Sequence, residues 1–111
     1  MMNGWGSLTG EASYILSSMV HTKEEDGSYG VFNHFSYSND KIDSLVEEAL
    51  GTIDSDARKA LLEEAMNVTM EDLMAIPIVN LSAIWAGNSN KLTYVPRADE
   101  DTLAINAIPA Q

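Results

Sequence analysis

The sequence contains no cysteine, so a disulfide framework, thiolate metal centres and cysteine catalysis are excluded. Positive charge is scarce: 6 Lys and Arg stand against 17 Asp and Glu, for a net charge of −11. Nucleic acids and anionic membrane surfaces are polyanions, so this balance excludes both as partners. No apolar run approaches the roughly 20 residues of a membrane span. The opening residues MMNGWGSLTG lack the basic and apolar regions of a secretory leader. Only two histidines, His21 and His34, are present; a separation of 13 matches no helical metal-ligand spacing, and both read as surface or loop residues. The 111 residues suffice for one small domain, and a hydrophobic fraction of 45% is too high for a disordered acidic tail.

Apolar spacing predicts the elements. Met1–Trp5 reads as a strand end running into a glycine turn. Thr9 is a candidate cap for a short helix with Glu11 in its first turn, and Ile15, Leu16, Met19 and Val20 share a face. Residues 21–37 show no period and read as a loop, with Phe32, Phe35 and Tyr37 as its anchors. Ser38, Asn39 and Asp40 offer N-caps for a helix whose apolar face is Ile42, Leu45, Val46, Ala49 and Leu50, with Gly51 in the C′ place. Asp54 or Ser55 begins a second helix reaching about Leu73, with a stripe of Ala57, Leu61, Ala65 and Val68 flanked by Leu62, Met66 and Leu73. About three residues join the two, which predicts an antiparallel αα-hairpin. Pro77 bars further helix. Ile76–Trp85, Leu92–Val95 and Leu103–Ile108 read as strands, with a turn at GNSNK.

Chemical motifs are sparse. The acidic runs Glu24–Asp26 and Asp99–Asp101 lack the ligand alternation, central glycine and closing Glu of a calcium loop, and read as solvated loops. No GxSxG elbow supports a serine hydrolase. Glu47, Glu48, Glu63 and Glu64 fall on polar helix faces. Asn67-Val68-Thr69 and Asn80-Leu81-Ser82 match the N-glycosylation pattern, which is common by chance. Trp5, between two glycines, fits either of two roles: a flat stacking surface beside open main-chain groups, or a core residue at a tight turn.

The segments GWGSLTGEASYIL, FNHFSYSNDKIDSLVEEAL, DSDARKALLEEAM, MEDLMAIPIVNLSAIWA and TYVPRADEDTLA resemble, in order and spacing, the C-terminal portion of extracellular solute-binding proteins of family 5. These are peptide and nickel receptors of bacterial ABC importers. The WGS-TGEAS and Y-PR-DE-T pieces are closer to the peptide branch. The resemblance implies an α+β fragment (αα-hairpin, short helix and a few strands) of an α/β periplasmic binding protein-like II fold. Residues 1–78 would belong to the second, ligand-closing lobe, and residues 79–111 to a crossover and tail completing the first. It further implies a periplasmic location, a signal peptide upstream, a peptide or other small solute enclosed between lobes, and a membrane permease as partner. No cofactor, metal or catalysis is implied.

Carried over residue by residue, Trp5, Gly6, Ser7, Leu8 and Thr9 would line the ligand cleft. Leu8 falls where peptide-binding relatives place an aspartate against the ligand's α-amino group, and an apolar side chain cannot neutralise an ammonium. Glu11 lies three residues on. A fragment of this kind leaves strand edges uncovered, which leads to the expectation of a homodimer. The other reading of the sequence is a free-standing acidic helical-hairpin interaction module.

Overall fold

A computed structural model describes residues 4–97 and 99–110. The chain divides into two compact units: Glu11–Pro77, and residues 4–10 together with 78–110. The first part of the strand end expected at Met1–Trp5 lies outside the described residues, and Gly4 and Trp5 are not in a strand.

In the helical unit, α1 (Ser13–Ile15) runs directly into a π-helical turn, Leu16–Val20. The His21 N–H reaches the Leu16 carbonyl at 2.8 Å, an i→i+5 bond. The Ser18 hydroxyl donates to the Tyr14 carbonyl four residues back, competing with the backbone for that acceptor. The expected face holds: Leu16, Met19 and Val20 are buried, and Ile15 packs against the core. Thr9 is not the cap. Ala12 occupies that place without a side-chain bond. Glu11 instead accepts from Ser13 Oγ at 2.6 Å and pairs with Arg58 Nε at 2.9 Å.

Helix α2 spans Asp40–Gly51. Of the three candidate caps, Asn39 performs the role, its side chain accepting from the N–H groups of Lys41 and Ile42. Ile42, Val46 and Ala49 are fully buried, whereas Leu50 turns outward. Gly51 is the last helical residue rather than a left-handed C′ glycine. The end is closed by Thr52, whose hydroxyl donates to the Glu48 carbonyl at 2.7 Å and whose N–H donates to that of Ala49 at 3.2 Å.

Asp54 caps α3 (Ser55–Glu71), its carboxylate accepting from the Ala57 N–H at 2.8 Å. The buried line is Leu62, Ala65 and Thr69; Leu61, Met66 and Val68 flank it, Ala57 is exposed and Leu73 is outside the core. The stripe is rotated because α3 packs on both α2 and the π turn. The buried Thr69 hydroxyl is satisfied by the Ala65 carbonyl at 2.8 Å. The helix ends before Pro77 is reached, with Asp72 as its C-cap and Leu73 at φ 53°, and no α-helix follows Pro77 among the described residues. Leu16, Val20, Ile42, Val46, Ala49, Leu62 and Ala65 form one core.

Of the three aromatic anchors expected for the loop between the π turn and α2, Tyr37 packs against the core, whereas Phe32 and Phe35 are about half exposed; polar groups supply the rest of the anchoring. Buried Asn33 donates to the carbonyls of His21 (3.0 Å) and Tyr37 (2.7 Å) and accepts from the Tyr37 N–H (3.1 Å). A loop crossing a core must satisfy its backbone groups, and one amide side chain can serve three. His21 is buried, contrary to the surface reading. Its ring stacks on Tyr29 with centroids 4.2 Å apart, and Nδ1 lies 2.7 Å from the Thr22 carbonyl oxygen. His34 is exposed as expected.

In the other unit, β1 (Leu92–Tyr94) pairs antiparallel with β2 (Ala107–Pro109) in the register Leu92–Pro109, Thr93–Ile108, Tyr94–Ala107. A 3₁₀ turn, Ala104–Asn106, occupies the first part of the strand expected at Leu103–Ile108. The turn expected at GNSNK is present, with the Asn88 carbonyl accepting from Lys91 and Leu92. The strand expected at Ile76–Trp85 does not form among the described residues. Ile76, Ile78, Val79, Leu81 and Ile84 are all at least 70% exposed. Their β-branched composition suits a strand, but a ladder needs a neighbour, and none pairs with this run.

Candidate functional site

The five residues singled out from the sequence lie in an irregular segment that closes in a turn. The Gly10 N–H reaches the Ser7 carbonyl at 3.4 Å, and Gly10 has φ 71°, a conformation suited to glycine. The hydroxyls of Ser7 and Thr9 are 3.4 Å apart. Leu8 projects outward, 63% exposed. Trp5 is half-buried. Space beside Gly4 and Gly6 is open, since a Cβ at either would meet nothing within 4 Å, so the main chain flanking Trp5 is accessible.

Within the same unit, Ser7, Leu8, Thr9 and Gly10 share an open concavity of about 390 Å³ with Arg97 and Asp99. Arg97 Nε donates to Asp99 at 2.8 Å and 3.1 Å to its two oxygens, and one Nη closes a second arm. The Arg97 guanidinium holds the Asp99 carboxyl below the ordinary carboxylate range, and Asp99 raises the guanidinium in return. Both groups are therefore charged at neutral pH. The loop carrying them is braced at its far end. Tyr94 donates its hydroxyl to the Asp101 carbonyl at 3.2 Å, and Trp85 Nε1 donates to Thr102 Oγ1 at 3.0 Å. The Trp85 and Tyr94 rings lie 6.1 Å apart.

Sequence reasoning left Arg97 out of the site and treated Asp99 as part of a solvated acidic run. The available signal was the Pro96-Arg97 step before Asp99, a rare cation set beside acids two, three and four residues on. Trp5 and Gly6 do not line this concavity.

A second cluster surrounds His21 in the helical unit. Glu47 Oε1 is 3.4 Å from Nε2, and Asp43 Oδ1 is 3.6 Å from Nδ1 while also accepting from the Thr22 N–H at 2.9 Å. These contacts tie the loop to α2. No group of three or more His, Cys, Asp or Glu able to hold a metal occurs among the described residues. No helix among them is long and apolar enough to cross a membrane.

The chain is similar to glutathione-binding protein GsiB of Salmonella typhimurium (strain LT2), 31% identical over 87 residues. The same protein of Escherichia coli (strain K12) and that of Shigella dysenteriae serotype 1 are each 29% identical over 87 residues. In each case the match covers 78% of this chain, and the chain spans only 17% of the length of the curated relatives it matches. No family model and no solved structure matches the chain. The similarity is partial and distant, and it is to proteins named for binding glutathione.

Proposed function

We propose that this chain is the C-terminal portion of the substrate-binding subunit of an ABC importer, on a periplasmic binding protein-like II fold, with peptides as the solute class. The observation that carries this reading is the 87-residue similarity to proteins named for binding glutathione, itself a small peptide. On this reading residues 1–78 contribute to one lobe and residues 79–111 cross to the other. The whole receptor works in the periplasm, with a signal peptide encoded upstream. Trp5, Gly6, Ser7, Leu8 and Thr9 form part of one wall of the cleft. Capture means closure of two lobes around the solute and delivery to a permease.

The exposed run also supports the reading. No charged residue occurs between Asp72 and Lys91, in a chain with 23 charged side chains. Charge depletion with exposed apolar side chains is the composition of a covered surface. In the receptor, the rest of the first lobe covers it. In the 111-residue chain alone, a second copy does, because this neutral strip is where two chains of net charge −11 repel least. Antiparallel pairing about Leu81 would set Ile78 opposite Ile84, Val79 opposite Ala83 and Asn80 opposite Ser82, a self-complementary register.

The test is the DNA upstream of Met1. A reading frame continuing through it, opening with a signal peptide and adjoining permease genes, is the expected result. A stop codon in frame directly upstream, with no permease genes nearby, overturns the reading in favour of a free-standing interaction module.

A further inference from the structure

We propose that the concavity between the Ser7–Gly10 turn and the Arg97–Asp99 pair is a subsite for the charged ends of a small zwitterion, such as the termini of a short peptide. This deepens the reading of the chain as part of a solute-binding protein and rests on it. The inference starts from composition. A chain with six cations and 17 acids repels anionic ligands over most of its surface. At this concavity one of the six, Arg97, stands beside a single acid in direct contact, so both signs of charge face one space.

Neither charge is exhausted by the pair. A guanidinium carries five N–H donors in a planar fork, and Asp99 engages only the Nε edge and one Nη. Arg97 therefore retains donors for a ligand carboxylate. The Asp99 carboxylate accepts from Arg97 and, at 3.3 Å, from the Asp101 N–H, and its oxygens retain lone pairs for an ammonium. A zwitterion laid across the pair alternates charge with it, so each added contact joins opposite signs. The opposite rim supplies neutral groups. The Ser7 and Thr9 hydroxyls lie 3.4 Å from each other on that rim, and the outward Leu8 side chain offers apolar contact to a ligand side chain.

The volume, about 390 Å³, falls within the range of small-molecule sites. The mouth is open and the charged groups are partly solvated, Arg97 at 39% and Asp99 at 19% exposure. Affinity in this chain alone is accordingly set near the millimolar level, where exposed charge pairs contribute little. The brace from Tyr94 and Trp85 to residues 101 and 102 keeps the loop formed without a ligand.

The experiment is a ¹⁵N–¹H NMR titration of the 111-residue chain with alanyl-alanine, N-acetyl-alanyl-alanine and alanyl-alanine amide, each from about 1 to 50 mM. The free dipeptide is expected to shift the amide signals of Ser7 to Gly10 and of Asp99 to Asp101. Blocking either terminus is expected to weaken binding about threefold to fivefold. Asp99→Asn should erase the penalty for N-acetylation, and Arg97→Gln the penalty for amidation. Unchanged Trp85 and Tyr94 signals report that the variant loop has kept its form. If a variant loses that form, the comparison of blocked and free peptides on the parent chain still decides. Equal affinity for all three peptides, or no shift at these amides, overturns the subsite. Shifts confined to other residues overturn it while leaving solute binding by the chain standing, and the upstream reading frame tests the receptor assignment independently.

Discussion

Gly30 is where one methyl group should do the most damage. It sits at φ 62° in the loop, and its N–H donates to the Ser17 carbonyl at 2.9 Å, fixing the loop to the π turn. An added Cβ would lie 2.5 Å from Lys23 Cα, 2.7 Å from the His21 carbonyl oxygen and 2.7 Å from the Lys23 nitrogen. All three are backbone atoms and cannot swing aside. The left-handed conformation costs a non-glycine residue about 1–2 kcal/mol. Forcing an extra carbon into packed surroundings costs about 1–3 kcal/mol more. Gly30→Ala should therefore destabilise by about 2–5 kcal/mol, against a total of about 3–10 kcal/mol for the 67 residues of Glu11–Pro77.

Two other glycines separate the causes. Gly27 has φ 76° but open space around it, so Gly27→Ala should show the conformational cost alone, about 1–2 kcal/mol. Gly51 is helical, with ordinary φ and open space, so Gly51→Ala should stabilise by about 0.5–1 kcal/mol. Urea denaturation followed by far-ultraviolet circular dichroism gives all three values. Equal losses for Gly30→Ala and Gly27→Ala would show that the loop does not pass beneath Gly30 as described.

The rotated face of α3 predicts that Leu62→Ala costs about 2–5 kcal/mol and exceeds the cost of Leu61→Ala; the reverse order in the same assay would restore the stripe read from the sequence. Burial and the hydrogen bond to Asp72 push the Tyr37 phenol up to about 12 from an ordinary 10.0. Its contribution is thus complete below pH 10 and lost between pH 10 and 12, a slope in denaturation midpoint that Tyr37→Phe should abolish. Asp72, held low by hydrogen bonds from Tyr37 and Asn39, acts in the opposite direction: its contribution is present above 3.8 and lost as the pH falls further. Light scattering over a dilution series should give twice 12.1 kDa at high concentration, more so in salt, and Leu81→Lys should restore the monomer mass; 12.1 kDa under all conditions refutes the dimer.

Helical period and caps were legible because each rests on near neighbours in the sequence. Asn39 and Asp54 cap the two helices for reasons visible within three residues. What escaped depended on distant partners. The rotation of α3 is set by the π turn, far away in sequence. His21 is buried because Tyr29 stacks on it and α2 supplies Asp43 and Glu47, none of which composition reveals. Asn33, a polar residue in a loop, gave no sign that it would anchor three backbone groups. At the candidate site, only Trp5 between its two glycines stood out from the residues themselves; Ser7, Leu8 and Thr9 were named because they fall where the family resemblance puts the cleft. Arg97 was not, since ninety residues separate it from Ser7 and only folding brings them to one concavity.

The two units differ in what holds them. The helical unit buries a continuous apolar cluster and closes the starts of α2 and α3 with side-chain caps. The other has a two-stranded ladder of three residues per strand, an arrangement only marginally stable in water without a sheet or helix against it. Its apolar side chains are spent outward: Ile78, Val79, Leu81, Ile84, Ile105 and Ile108 are each more than half exposed. At about 25 cal/mol per Å², covering such side chains is the largest stabilisation open to this unit, and its own fold does not collect it. Amide hydrogen exchange should therefore protect α2 and α3 strongly and β1 and β2 weakly in dilute solution, with protection of residues 78–84 rising as the chains associate. Equal protection of both units at the lowest concentration would mean that the exposed run needs no cover, and the physical case for a covering partner would fall with it.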